Sequence, residues 1–161
     1  RATMETFETS DAPVIFSHSN PNGVHENARN ISDEQIKACA ETGGVVGING
    51  IGGFLGGTSN EIVVEHLEYV IDLVGPEHVG LGLDYVIDKR ELIEYIESHP
   101  EIFPPDQIQD YLAFVEPEQV PEITELLLSR GHSEGVVRGV LGENFLRVAE
   151  QVWKQPDDHK K

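Results

Sequence analysis

Val45-Val46-Gly47-Ile48-Asn49 and Val79-Gly80-Leu81-Gly82-Leu83-Asp84 are two short apolar runs, and between them Ile62, Val63, Leu67, Val70, Ile71 and Val74 recur at helical spacing. Brief unbroken apolar runs bounded by glycine have the pattern of strands buried on both faces. Apolar residues three and four apart have that of a helix with one buried stripe. Gly75-Pro76 ends the helix just before the second run. Strand, helix and strand in this order predict a parallel pair joined by a right-handed crossover, so the fold class is α/β.

The unit repeats upstream. Pro13-Val14-Ile15-Phe16-Ser17 reads as a further strand buried on both faces and ends on His18, and the turn formers from Ser19 to Gly23 open a loop to about residue 31. Ser32-Asp33-Glu34-Gln35 has the form of a capping box, since a Ser hydroxyl can take the amide hydrogen three residues on while the Gln side chain reaches back. The helix it starts should run to Thr42 and stop at Gly43-Gly44. Residues 1–11 are polar and show no clear period. Beyond Asp84, helical segments are expected over residues 90–98, from Pro104-Pro105-Asp106 to Phe114, over 120–129, and from a Ser133 cap to Val140. A terminal amphipathic helix should begin at Leu141 and reach Trp153, leaving 154–161 as a polar tail. The glycines of residues 50–57 suggest a flexible loop over the open end of the sheet.

At 161 residues the chain is one domain at most, and 39% hydrophobic with 25% charged residues is enough for a core. Lys and Arg number 11 against 29 Asp and Glu, a net charge of −18. That balance argues against nucleic acid and anionic membranes as partners, because both need clustered cations. Glu61, Glu65, Glu68, Glu91, Glu94, Glu97, Glu122 and Glu125 are expected on outer helix faces, where they serve solubility or salt adaptation. Cys39 is alone, which excludes an internal disulfide and a cysteine-based zinc knuckle and fits a reducing, cytoplasmic setting. Strand material arrives close after Arg1, and the expectation is a piece of a longer polypeptide.

Chemistry in a parallel α/β fold gathers at the carboxyl ends of the strands, which here offer His18, Asn49 and Asp84. An imidazole there can ligate zinc or act as a base, or simply hold a loop by hydrogen bonds. Asp84 can bind an ammonium, move a proton or orient a metal-bound water, or serve as a turn aspartate. Arg29, eleven residues after His18, can fork onto a carboxylate, and His25 stands near it in the same loop. The glycine cluster lacks the Lys-Ser/Thr of a phosphate loop and the spacing of a dinucleotide fingerprint. His66, His78 and His99 form no HExxH, and no serine sits in a GxSxG elbow.

Taken in order, Val14-Ile15-Phe16-Ser17-His18-Ser19, Arg29-Asn30 with Ser32-Asp33-Glu34, Gly43 to Asn49, Asp72 to Gly75, His78 to Asp84, and Leu126 to Gly131 with Leu141 to Val148 resemble the C-terminal half of the membrane (renal) dipeptidases, peptidase family M19, over about residues 12–153. The resemblance implies a metal-dependent (β/α)8 TIM barrel hydrolysing dipeptides or other small amides at a binuclear Zn2+ centre. Residues 1–153 would be the C-terminal portion of one such barrel. By the same resemblance His18 ligates the second zinc, Arg29 holds the substrate carboxylate, and Asp84 lies near the metal-bound water and the substrate amine. Two departures stand out. The family pattern after the last strand is commonly Gly-Asp-Phe-Asp-Gly, whereas Leu83-Asp84-Tyr85-Val86 keeps only the first acid, and residues 88–114 form a longer insertion of bacterial type. The other zinc ligands belong to the first half of the family's barrel, so the 161-residue chain alone is expected to be inactive and to self-associate or dock with that half. A non-catalytic binder of small carboxylates and an amidohydrolase acting on non-peptide amides are the alternatives.

Overall fold

A computed structural model describes residues 2–101 and 108–153 of the chain. In chain order the helices and strands are α1 (Ala2–Thr9), α2 (Asp33–Glu41), β1 (Val46–Ile48), α3 (Gly52–Leu55), α4 (Asn60–Val74), β2 (Val79–Leu81), α5 (Lys89–Ser98), α6 (Ile108–Leu112), α7 (Val120–Ser129), α8 (Glu134–Arg138) and α9 (Asn144–Val152). The expected α/β class is what forms. β1 and β2 pair in parallel with Val46 opposite Val79 and Ile48 opposite Leu81, and α4 is the crossover between them. Rungs continue past the strands, from Gly82 N–H to the Ile48 carbonyl at 2.9 Å and from Gly50 N–H to that of Leu83 at 3.0 Å.

The segment expected as a first strand is reduced to a single parallel bridge between Phe16 and Val46, held by Phe16 N–H on Val45 O and Gly47 N–H on Phe16 O. It is not buried on both faces, for Ile15 is 41% exposed. The physical reason is position: among the described residues nothing pairs with the outer edge of this segment, so only its inner edge is satisfied. The sheet formed by the described residues does not close on itself.

The core lies on one side of the sheet. Val63, Val64, Leu67 and Val70 of α4 are fully buried against Val46 and Ile48, Ile123 and Leu127 of α7 pack behind α4, and Ile36 and Cys39 of α2 complete the layer. Burial pushes the Cys39 thiol from 9.0 up to about 11, so the lone cysteine is an inert core group. The capping box of α2 forms as expected, with Gln35 N–H on Ser32 Oγ and Ser32 N–H on Gln35 Oε1, and Ser133 caps α8 through Val136 N–H. Seven of the eight outer glutamates, Glu68 apart, are exposed; Glu68 is half-buried and pairs with Arg130 at 2.6 Å and His132 at 3.0 Å.

Three local readings change. Residues 2–9 are helical, although no sequence period announced it. The glycine loop contains the short helix α3, closed by Gly56 at φ 83, a left-handed conformation that glycine adopts without steric cost. The terminal helix starts at Asn144, after a wide turn over Gly139–Glu143. Of the helix expected from Pro104 to Phe114, residues 108–112 form α6, while Pro104-Pro105-Asp106 and the tail 154–161 lie outside the described residues.

Asn144, Phe145 and Arg147 explain the apolar-polar mixture of the terminal motif. Asn144 Nδ2 donates to the carbonyls of Pro76 and Val79, both at 2.8 Å, and Arg147 donates to those of Gly43 and Glu77, both at 2.9 Å. These carbonyls stand at the entries to β1 and β2, so α9 ties the amino ends of the strands and leaves the carboxyl ends free. Phe145 packs against the glycine face of the sheet, where a Cβ at Gly80 would come 2.7 Å from its ring. Past it, Ile15, Leu146, Val152 and Trp153 remain exposed and line an apolar cleft with Pro13, the uncovered apolar face expected of an open sheet.

Asn144→Ala should cost about 1–3 kcal/mol, because two strand-entry carbonyls lose their donor inside the fold; a urea midpoint unchanged from wild type would refute the clamp. A second expectation concerns His66 on α4, fully buried with a ring nitrogen 3.0 Å from the Leu55 carbonyl. Burial holds its pKa below the usual 6.5, so on acidification the unfolded chain takes up the proton first. Its contribution to stability is therefore complete above pH 6.5 and declines as the pH falls from there toward the folded value. Unfolding midpoints measured from about pH 7.5 to 5.5 should fall more steeply for wild type than for His66→Gln, and parallel curves would disprove the assignment.

Candidate functional site

The site is built from asparagines. Asn20, fully buried just beyond His18, accepts Asn49 N–H on its Oδ1 at 2.9 Å and donates from Nδ2 to the Asn49 carbonyl at 3.3 Å. It thereby acts as one more strand partner for the residue that ends β1. Asn49, 1% exposed, accepts Ile51 N–H at 2.7 Å and donates from Nδ2 to Asp84 Oδ2 at 3.1 Å. A chain of amides thus runs across the three carboxyl ends and finishes on the carboxylate. Asp84 has φ 56, the left-handed region that Asp and Asn tolerate better than other side chains. The backbone turn and the Asn49 amide together set where its oxygens lie.

His18 faces this carboxylate. Its Nε2 is 4.0 Å from Asp84 Oδ2, the two side chains being 39% and 41% exposed, and its Nδ1 lies 2.7 Å from Ser17 Oγ. In the tautomer whose Nδ1–H is donated to Ser17, the Nε2 lone pair and the carboxylate are two acceptors turned toward one another, an arrangement that a cation between them satisfies. Zinc sites take three or four protein ligands, and among the described residues no group of three His, Cys, Asp or Glu side chains is placed to hold a metal ion. The residues described therefore do not by themselves fit a complete metal centre.

Arg29 enters from the loop that precedes α2. Asn27 accepts Arg29 N–H at 2.9 Å and donates to the Gly53 carbonyl at 3.0 Å, while buried Asn30 donates to the carbonyls of His25 and Phe54, both at 2.8 Å. The two asparagines stitch the arginine loop to α3, and the exposed Arg29 guanidinium sits 5.9 Å from the centroid of the Phe54 ring. Phe54 also lines, with Asp84, a cleft of about 270 Å³. Structure thus brings His18, Asn49 and Asp84 into one cluster and links Arg29 to it through Phe54. His25 packs under Gly56 and away from that cluster. His66 is a core residue, and His78 is tied to the Gly44 carbonyl at 2.8 Å.

Asn20, Asn30 and Phe54 were not legible as site residues. The run Ser19-Asn20-Pro21-Asn22-Gly23 reads as turn chemistry, and only burial distinguishes an asparagine that replaces a strand rung from one that faces water.

With this geometry in hand, comparison with known proteins is specific. A family profile for membrane dipeptidase (peptidase family M19) matches residues 1–102. Mouse (Mus musculus) dipeptidase 3 is 32% identical over 151 residues, covering 92% of this chain and 27% of its own. The crystal structure of an amidohydrolase from Pseudomonas aeruginosa superposes with a TM-score of 0.79 at 31% identity, over 96% of this chain and 50% of that one. A metallo peptidase from Rhodobacter sphaeroides, liganded with a phosphinate mimic of the dipeptide L-Ala-D-Ala, superposes with a TM-score of 0.69 at 26% identity, over 94% of this chain and 39% of that one. The chain spans 27–52% of the length of the curated relatives it matches. On the profile match, which takes in well over half of its residues, the chain belongs to the membrane dipeptidase family, peptidase family M19.

Proposed function

We propose that this chain carries the substrate-binding side of a metal-dependent dipeptide hydrolase and one ligand of its binuclear zinc centre. The observation that carries the reading is the facing pair of His18 Nε2 and Asp84 Oδ2 at 4.0 Å, set by the Asn20–Asn49 relay at the carboxyl ends of parallel strands. A solved relative holds a dipeptide mimic, which supports a dipeptide as the substrate class.

Arg29 takes the substrate's terminal carboxylate. Its guanidinium is exposed on a loop that Asn27 and Asn30 tie to α3, lies near the Phe54 ring, and offers a planar fork that matches a carboxylate. Asp84, negatively charged and fixed by Asn49, holds the substrate ammonium and orients the attacking water by accepting its hydrogen bond. His18 supplies one imidazole to the metal set, with Ser17 Oγ fixing the ring through Nδ1. A zinc held by His18 together with further ligands would supply Lewis acidity at the scissile carbonyl. The further ligands come from the first half of a (β/α)8 barrel, which would also cover the apolar cleft of Ile15, Leu146 and Trp153.

Hydrolysis of Ala-Ala with added Zn2+ is the test. The 161-residue chain alone should show no turnover, and adding the first half of a relative such as the Pseudomonas aeruginosa amidohydrolase should restore it. In the active assembly Arg29→Met should raise KM by about 10–100-fold with a smaller change in kcat, the loss of a charged hydrogen-bond pair worth roughly 1.5–3 kcal/mol. Turnover by the isolated chain, or an unchanged KM in the variant, would contradict the proposal.

A further inference from the structure

Val86 stands where the usual Gly-Asp-Phe-Asp-Gly pattern has its second acid, and the structure shows what that exchange does. The Val86 side chain lines the cleft of about 270 Å³ that Asp84 also lines, and the remaining walls include Phe54, Leu92, Ile96 and Phe114. Asp84 is the one charged residue among the described residues that line it. The nearby cation is already engaged, for Lys89 Nζ is 3.1 Å from Glu116 Oε1 and lies over the rings of Tyr85 and Phe114. Its volume falls below the roughly 300–1,000 Å³ of pockets that take whole drug-sized ligands, and suits a single side chain.

We propose that this cleft receives the side chain of the substrate residue whose ammonium Asp84 holds, and that it selects aliphatic and aromatic first residues over glycine and lysine. The inference rests on the assignment of Asp84 to the substrate amine made above. An α-ammonium and its side chain leave the same carbon, so an amine fixed on Asp84 carries the side chain straight into the adjoining cleft. Each methylene buried there gains the hydrophobic term. A lysine side chain would bring its ammonium against Val86 and Leu92, in a cleft whose described walls are apolar apart from the ring of Tyr111 and from Asp84, whose carboxylate the α-ammonium already takes. An acid in place of Val86 would supply an acceptor.

The test reads binding directly, with the 161-residue chain and amides of single amino acids followed by 1H–15N NMR. Leucinamide should shift the resonances of Val86, Leu92 and Phe114 and bind at least about tenfold more tightly than glycinamide or lysinamide. Asp84→Asn should weaken leucinamide and glycinamide alike, because both use the amine. Val86→Asp should move the preference toward lysinamide, and Leu92→Trp, which fills the cleft, should abolish the leucinamide shifts while the rest of the spectrum is retained. Equal affinity for leucinamide and glycinamide, shifts confined to other residues, or no binding would overturn the proposal. The two readings fail separately. Leucinamide binding at these residues in an assembly that hydrolyses no dipeptide removes the hydrolase and keeps the cleft, whereas equal kcat/KM for Leu-Ala and Gly-Ala removes the cleft and keeps the hydrolase.

Discussion

The hydrogen bonds that Asn20 makes to the backbone of Asn49, and that Asn49 passes on to Asp84, are the constraint on which the candidate site depends. At the carboxyl end of a parallel sheet the ladder runs out, leaving backbone groups that must be satisfied without continuing the strand. Here a buried amide side chain takes both the N–H and the C=O of Asn49, at 2.9 and 3.3 Å. The Asn49 side chain is then free to turn outward and fix a carboxylate that sits in a left-handed turn. A buried amide left half-paired costs more than it gains, so losing one bond of this relay leaves its neighbours unsatisfied.

The two ends of the sheet divide the labour. At the amino end, Asn144 and Arg147 occupy four carbonyls from the entries to β1 and β2, and Phe145 covers the glycine face. That end is closed by hydrogen bonds made for stability. At the other end the loops after Ser17, Ile48 and Leu81 diverge and carry His18, Asn49 and Asp84, while asparagine stitches hold Arg29 over Phe54. The same residue type serves both purposes, as clamp in Asn144 and as site scaffold in Asn20, Asn27, Asn30 and Asn49.

How much of this was legible follows from which physical signals are local. The β1–α4–β2 unit was readable because apolar period and glycine stops are local, and the capping box was readable because Ser32 and Gln35 are three residues apart. The strand expected at residues 13–17 became a bridge because strand identity depends on a neighbour, and apolarity alone does not say whether one is there. The helix α3 inside a glycine run was hidden, since its ties to Asn27 and Asn30 come from tertiary contact. His18 and Asp84 were visible from their places at strand ends and Arg29 from its place in the loop after His18; Asn20, which reaches Asp84 through Asn49, was not, because burial of a turn former leaves no mark in the sequence.

A double-mutant cycle between Asn20→Ala and Asp84→Gly, followed by urea unfolding, tests the relay most directly, since glycine keeps the left-handed backbone while removing the carboxylate. The side chains meet only through Asn49. A shared network predicts a coupling energy of at least about 0.5 kcal/mol, whereas free energies that add to within about 0.3 kcal/mol would show the two ends to be independent and contradict this account of the site.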